Sequence, residues 1–227
     1  MIDGLEIVRK ANARRMQLSV DPRTGQVRLV LPHKAPLAAA LTWAEQHEGW
    51  IARQKSRLPE PWPILPGMSV PIGDATYTLD WEQSHPRTPR IEGAQILVGG
   101  PIDVMPNRLL RWLRAEARTL LDQETRQIAA QRDISIASVS VGDPRSRWGS
   151  CSGSGDIRYS WRLILAPEFV RRATVAHEVA HRIHMDHSRD FHRLAKELFG
   201  ADHAPARDWL RHNGARTVVC QRFKNGV

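Results

Sequence analysis

The chain has 227 residues, of which 41% are hydrophobic and 25% charged, and its formal net charge is +9 at pH 7. This composition is typical of a globular protein with one domain or two small ones, and it excludes an intrinsically disordered chain. No apolar run reaches the roughly 20 residues that a membrane-spanning helix needs, and residues 1–6 lack the apolar segment of a signal peptide. Two cysteines, Cys151 and Cys220, are too few for a disulfide framework. We therefore expect a cytoplasmic protein with reduced thiols and no membrane partner.

The excess of basic residues has two interpretations. A strongly basic protein attracts acidic partners such as nucleotides or nucleic acids. The arginines are nevertheless dispersed along the chain, and no nucleic-acid-binding motif accompanies them. A solvated basic surface is the favoured interpretation, and a nucleotide or nucleic-acid partner remains the alternative.

The first hundred residues predict a β-rich module that carries one helix. Residues 16–20 and 26–31 alternate between apolar and polar side chains around turn residues, which predicts a β-hairpin. A helical pattern then runs from residue 36 to about residue 58 and is followed by a proline-rich connector. Strands are predicted at 68–80, around a turn at Gly73 and Asp74, and at 95–98, with a loop at 82–93. We assign residues 1–104 to this N-terminal module, which contains no evident catalytic residues.

The second half predicts a different domain at residues 105–215, followed by a basic tail at 216–227. Amphipathic or alternating patterns mark its elements. The predicted elements are a long helix at 106–132, strands at 134–141 and 156–165, and helices at 167–184, 189–199 and 204–213. Ser188 is expected to cap one helix, Gly200 to end it, and Asn213-Gly214 to end the next. The predicted fold class is α+β.

The strongest indication of function is the pattern His-Glu-x-x-His at residues 177–181. Positions i and i+4 share one face of a helix, so the rings of His177 and His181 can converge on one metal ion. The carboxylate of Glu178 could then reach a metal-bound water and accept its proton. Ten histidines make a chance match possible, but the apolar neighbours of the motif are typical of a buried helix. The motif predicts a zinc-dependent hydrolase.

A hydrolytic zinc site usually has three protein ligands and one open position. His184 shares the helix face but lies about 10.5 Å along the axis from His177, which is too far while the helix continues. His187 lies beyond the expected end of the helix, where the chain can fold back. Its spacing from His181 is that of metzincins, although His184 stands where metzincins have the glycine of their turn. His187 is favoured, and Glu197 on the following helix remains the alternative.

Several segments together resemble one known family. They are Ser146-Arg147-Trp148-Gly149-Ser150-Cys151-Ser152, Ile157-Arg158, Trp161-Arg162-Leu163-Ile164-Leu165, His177-Glu178-Val179-Ala180-His181 and His187-Ser188. The family is the YgjP-like metallopeptidase-type family, related to the SprT and WLM minimal zinc metallopeptidases, and the resemblance is strongest over residues 135–200. It implies a zincin-like domain, one Zn²⁺ per chain held by His177, His181 and His187, and Glu178 as the base. His192 departs from the family pattern, in which an aromatic residue often follows the position of Phe191.

The Ser-Arg-Trp-Gly-Ser-Cys block also has two interpretations. A strand edge beside the metal-binding helix could pair with an extended peptide, with Arg147, Trp148 and Ser150 as substrate-binding residues. Alternatively, Trp148 covers the helix and Gly149 forms a bulge. Cys151 has little support as a nucleophile, because a metal-bound water already supplies one.

The sequence therefore predicts a zinc-dependent hydrolase of metallopeptidase type that acts on a peptide or protein substrate. Two alternatives use the same residues. The first is a metal-dependent phosphohydrolase that acts on nucleotides, and the second is a nucleic-acid-associated protein in which the zinc fold serves as a scaffold.

Overall fold

The computed structural model describes residue 2 and residues 4–21, 25–56, 64–144 and 147–218. The chain divides into two compact units, Met1–Pro63 with Val218–Val227, and Ile64–Thr217. The predicted proline-rich connector lies largely outside the described residues. So does the predicted basic tail, except for residues 216–218, which belong to the last helix.

The first unit contains a three-stranded sheet and two helices. Its elements are β1 (Leu5–Lys10), β2 (Gln17–Val20), β3 (Val27–Pro32), α1 (Leu37–Glu45) and α2 (Glu48–Ser56). Strand β3 is central, parallel to β1 and antiparallel to β2, which confirms the predicted hairpin. Alternate residues Leu29 and Leu31 are fully buried and pack against Ala40 and Ala44.

The single helix predicted from residue 36 to about residue 58 is wrong, because two helices are separated at Gln46 and His47. The amide of Gln46 is shared between the carbonyls of Thr42 and Ala44, and the amide of His47 donates to Ala44 at 3.0 Å. This tightening to i→i+3 hydrogen bonds ends α1. Residue 58 itself lies outside the described residues.

The second unit begins with a four-stranded sheet in the order β4-β5-β7-β6. Its strands are β4 (Ser69–Ile72), β5 (Ala75–Trp81), β6 (Arg90–Glu92) and β7 (Gln95–Val98). The turn between β4 and β5 uses Gly73 with φ +61°, as predicted. Strand β6 falls in the segment predicted as a loop. Its three side chains are all exposed, so it has no burial pattern that could indicate a strand.

A long helix and a small sheet follow. They are α3 (Met105–Ala130), β8 (Ser138–Gly142), β9 (Gly149–Cys151) and β10 (Asp156–Ser160), and the sheet order is β8-β10-β9. The predicted strand at 156–165 ends five residues early, because residues 161–165 form a 3₁₀ helix. The Ser160 hydroxyl caps this turn by accepting a hydrogen bond from the amide of Arg162.

Three helices complete the second unit: α4 (Glu168–Ala180), α5 (Arg189–Phe199) and α6 (Ala204–Val218). Ser188 caps α5 and Gly200 ends it with φ +83°, as predicted. Helix α6 does not end at Asn213-Gly214. Gly214 lies inside the helix, where a Cβ atom would come within 2.8 Å of Cζ2 of Trp148. The glycine therefore permits a close approach of the indole ring.

Helix α4 is held in place by long-range polar contacts. Arg171 forms a bidentate ion pair with Glu124 of α3 at 3.0 and 2.9 Å, and both side chains are buried. Asp74, in the β4–β5 turn, accepts a hydrogen bond from the amide of Glu168 at the start of α4. The neighbouring amide of Gly73 donates to the carbonyl of Ile164. The β4–β5 turn thus caps the helix that carries the His-Glu-x-x-His motif.

The observed mixture of strands and helices confirms the α+β fold class. Strands β4 to β7, which the sequence places in the N-terminal module, belong to the second compact unit. The boundary at residue 104 remains a prediction, because compactness is defined by contacts and a domain by independent folding. Among the helices of the described ranges, none combines the length and apolarity needed to cross a membrane.

Candidate metal centre

Three histidine side chains form a cluster at the end of α4. One ligand atom from each of His177, His181 and His187 can be chosen so that all lie within 4.8 Å of one another. The Nε2 atoms of His177 and His187 are 3.3 Å apart. Two nitrogen ligands of a tetrahedral zinc ion, each with a bond of roughly 2 Å, lie about 3.3 Å apart. The separation of these two atoms and the chemistry of the three-histidine donor set therefore fit a zinc ion.

The ring of His181 is oriented by a backbone contact. Its Nδ1 atom lies 3.0 Å from the carbonyl oxygen of His184. A carbonyl only accepts, so Nδ1 carries the proton and Nε2 keeps its lone pair for a metal. The main chain of His184 thus supports the cluster, and His184 is not a member of the histidine group that the described residues form.

The chain returns to the cluster after α4 without a left-handed residue. Helix α4 ends at Ala180, and the predicted helix to residue 184 is wrong. The amides of Ile183 and His184 both donate to the carbonyl of Ala180, which tightens the last turn. No residue from 181 to 187 has a positive φ, so this turn requires no glycine. The ring of His187 can therefore reach His177 although His184 occupies the glycine position of metzincins.

The ring of Phe191 packs against all three histidine rings. Its side chain is fully buried, and its ring centroid lies 4.9, 4.5 and 4.8 Å from those of His177, His181 and His187. The capping of α5 fixes this position, because the Ser188 hydroxyl accepts a hydrogen bond from the amide of Phe191. The sequence offered one indication of this role, namely an apolar residue just after a helix cap and four residues beyond His187.

Glu178 lies against strand β9 at a position where only glycine fits. The glutamate is 5% exposed. A Cβ atom on Gly149 would lie 2.4 Å from Oε1, 2.6 Å from Cγ and 2.7 Å from Cδ of Glu178. The missing side chain of Gly149 therefore provides the space that the glutamate occupies. This positional role was not recognised from sequence, where Gly149 was interpreted as a possible bulge.

Burial sets the protonation states of this site. The pKa of His177 is lowered to about 3, chiefly by burial and in addition by the neighbouring histidines. Burial also lowers the pKa of His181. Both rings are therefore neutral at neutral pH, which is the form that binds metals. Burial raises the pKa of Glu178 to about 7, against an opposing effect of the positive charge of Arg147.

The alternative ligands lie in other surroundings. Glu197 accepts a hydrogen bond from Arg132 at 2.7 Å in an exposed ion pair, and it does not belong to the histidine cluster of the described residues. The ring of His192 lies 6.3 Å from that of His187 and lines the adjacent cavity.

The predicted substrate-binding residues are distributed around β9. Trp148 lines the cavity beside the cluster, and the charge of Arg147 acts on Glu178. Side chains alternate across a strand, so Ser150 is directed to the face opposite Gly149. Cys151 is a free thiol whose pKa is raised, chiefly by burial, which disfavours the nucleophilic thiolate. The substrate contacts of these residues remain predictions.

A cavity of about 760 Å³ opens beside the cluster. His177, Glu178 and His187 line it, together with Trp148 and other residues of helices α4, α5 and α6. This volume is within the range of sites that bind small molecules or parts of larger substrates. Two of the three potential ligands, His177 and His187, and the buried glutamate thus line one cleft.

Three imidazoles with a buried carboxylate beside them, at the end of a helix in an α+β fold, are typical of metal-dependent hydrolases. The family model described as YgjP-like, metallopeptidase domain, matches residues 14–213. The chain belongs to this family, and the resemblance seen in the sequence is confirmed. Membership identifies it, in general terms, as a metallopeptidase-type hydrolase. Comparisons with curated proteins and with solved structures gave no match.

Proposed function

We propose that the chain is a zinc-dependent metallopeptidase in which His177, His181 and His187 hold the ion and Glu178 transfers the proton. The observation that carries this proposal is the set of three nitrogen donors within 4.8 Å of one another. The buried carboxyl of Glu178 shares their cleft. A bound zinc ion would supply Lewis acidity, polarising the scissile carbonyl and lowering the pKa of water.

Glu178 is suited to proton transfer in both directions. An ordinary glutamate, with a pKa of 4.5, would be a weak base and would rarely carry a proton at neutral pH. Burial raises the pKa of Glu178 to about 7, where acceptance and return of a proton are nearly balanced. In peptide hydrolysis Glu178 would take a proton from the attacking water and return it to the leaving amine. The contact with Gly149 keeps its carboxyl in one place during both transfers.

The sheet next to the site supports a peptide as the substrate. Strand β9 lies at the edge of the β8-β10-β9 sheet, and its residue Gly149 contacts Glu178. An extended peptide can add to such an edge through main-chain hydrogen bonds. A peptide bound in this way would pass the carboxyl of Glu178 and the histidine cluster. The family's metallopeptidase domain points to the same substrate class.

The test compares Glu178→Gln with Glu197→Gln. Both replace a carboxylate by an isosteric amide, but Glu197 lies in an exposed ion pair outside the cluster. We expect the wild-type protein and both variants to bind one zinc ion each, measured by titration and elemental analysis. Only Glu178→Gln should lose the hydrolysis of quenched fluorogenic peptides, by about 10²–10⁴-fold.

Two results would contradict the proposal. Full peptidase activity in zinc-loaded Glu178→Gln would exclude Glu178 as the base. Release of phosphate from nucleoside triphosphates, without cleavage of any peptide, would replace the metallopeptidase by the phosphohydrolase alternative.

A further inference from the structure

The cavity beside the histidine cluster is also lined by residues of three helices. Three of them are small, Ala173 of α4, Ala195 of α5 and Ala206 of α6, and each is at most 3% exposed. Trp148 and Leu210 line the same cavity. Because alanine leaves the space between helices open, the cavity can admit a side chain or a chain terminus of a substrate whose scissile bond lies at the cluster.

Two cationic side chains line the same cavity. Lys196 of α5 and Arg207 of α6 are exposed at its margin. Within the part of the chain that the structure describes, neither forms an ion pair with a carboxylate. Arg193 and Arg211 on the same two helices are paired locally: Arg193 bonds to Asp190 at 2.7 Å, and Arg211 bonds to Asp208 at 3.1 Å. The charges of Lys196 and Arg207, by contrast, are available to a ligand in the cavity that they line.

The acidic residues that line the cavity offset this charge only in part. Asp202 lines the cavity, and its Oδ1 accepts a hydrogen bond from the amide of Ala204 at the start of α6. His203 donates from Nε2 to the carbonyl of Ala173 at 3.1 Å. Glu178 also lines the cavity and belongs to the proposed catalytic group. Among the described residues that line the cavity, an anionic ligand therefore finds two cations, Lys196 and Arg207, and one acid besides Glu178.

We propose that this cavity is a substrate subsite that binds a carboxylate of the peptide through Lys196 and Arg207. The proposal rests on the peptidase function proposed above and adds the substrate class, namely peptides with an acidic group near the scissile bond. The carboxylate can belong to an aspartate or glutamate side chain or to the C-terminus of the peptide. Alanine walls accept the apolar part of that group, and the two cations accept its charge.

The experiment uses quenched fluorogenic peptides with Glu, Gln or Lys at one position at a time, each with a free or an amidated C-terminus. Two partly exposed ion pairs should give the carboxylate peptide about a tenfold higher kcat/KM than its neutral counterpart. Faster cleavage of the Glu peptide than of the Gln peptide identifies a side-chain carboxylate as the bound group. Faster cleavage of the peptide with a free C-terminus than of the amidated peptide identifies the C-terminal carboxylate. The preference should weaken at high ionic strength, because salt screens exposed charges.

Matched variants test the two cations. In the double variant Lys196→Gln/Arg207→Gln, the ratio of kcat/KM for the carboxylate peptide to that for its neutral counterpart should fall to about 1. The control Arg193→Gln/Arg211→Gln removes the same charge from the same two helices, outside the cavity, and should keep the preference. Equal cleavage of acidic and neutral peptides by the wild type would overturn the subsite. An undiminished preference in Lys196→Gln/Arg207→Gln would also overturn it.

Binding separates this proposal from the peptidase function. Fluorescence anisotropy with labelled peptides measures their affinity for Glu178→Gln protein without turnover. If no peptide is cleaved but carboxylate peptides bind preferentially, and this preference disappears when Lys196→Gln/Arg207→Gln is added, the subsite stands and the peptidase function fails. If peptides are cleaved and bound without regard to their carboxylates, the peptidase function stands and the subsite fails.

Discussion

The contact between Gly149 and Glu178 gives the sharpest structural prediction. Replacing Gly149 by alanine would place a Cβ atom 2.4 to 2.7 Å from three side-chain atoms of the glutamate. Real Cβ contacts are not this short, so one of the two elements must move. The φ of Gly149 is not positive, and alanine is therefore compatible with the backbone of β9 itself. The whole effect of Gly149→Ala should arise from the encounter with Glu178.

The expected magnitudes follow from the overlap. The contact involves Cγ as well as Oε1 of Glu178, so rotation of the terminal carboxylate alone does not relieve it. Overpacking of this kind costs about 1–3 kcal/mol of unfolding free energy. A catalytic group displaced by roughly 1 Å lowers the rate by about 10²-fold. Zinc affinity should change little, because none of the three atoms nearest this Cβ belongs to a histidine.

The assay is a double-mutant cycle read by urea unfolding, together with peptide cleavage by the single variant Gly149→Ala. Glu178→Ala removes the atoms that the new methyl group would meet, so Gly149→Ala should cost much less in that background. Gly153→Ala is the control, because no atom lies within 4 Å of its added Cβ. The reasoning is refuted if Gly149→Ala costs the same free energy with and without the glutamate side chain. Full peptidase activity in Gly149→Ala would refute it as well.

Three further predictions concern the ligands, pH and packing. His187→Ala should lower zinc affinity by more than about 100-fold in a competitive chelator titration, whereas Glu197→Ala should leave the affinity within about twofold of the wild type. The reverse result would identify Glu197, on the next helix, as the third ligand. In the metal-free protein, Glu178 has its pKa raised from 4.5 to about 7, so the folded state holds a proton that the unfolded state releases. As the pH rises from about 4.5 to about 7, the unfolding free energy of the wild type should therefore fall by about 3 kcal/mol relative to that of Glu178→Gln. Parallel pH profiles of the two proteins in urea unfolding would disprove this prediction. Gly49→Ala in α2 should raise the unfolding free energy by about 0.5–1 kcal/mol. Gly214→Ala in α6 should not raise it, because the added Cβ would lie 2.8 Å from Trp148. Equal shifts of the melting temperature in the two variants would contradict this prediction.

Local patterns predicted much of the fold. The β2–β3 hairpin, the long helix α3, the Ser188 cap and the Gly200 end were all predicted from alternation, periodicity and capping residues. Errors arose where local preference was overridden. The break between α1 and α2 lies in a continuous helical pattern, and residues 161–165 form a 3₁₀ helix although their apolar character resembles a strand.

The candidate site was predictable where sequence spacing has a fixed geometric meaning. The i, i+4 spacing of His177 and His181 is of this kind, and the structure brings both beside His187. Gly149, Gly214 and Asp74 were not predictable, because each acts on a residue far away in sequence. Gly149 leaves space for Glu178, Gly214 admits Trp148, and Asp74 caps α4. A glycine interpreted as a bulge or a helix end has no local feature that reveals such a partner.

The most direct test of the central claim is a crystal structure of the zinc-loaded protein with anomalous data at the zinc edge. The account predicts one ion bound by nitrogen atoms of His177, His181 and His187 at about 2.0–2.1 Å, with a non-protein ligand within hydrogen-bond reach of Glu178. An ion coordinated by Glu197, or one located away from the histidine cluster, would contradict it.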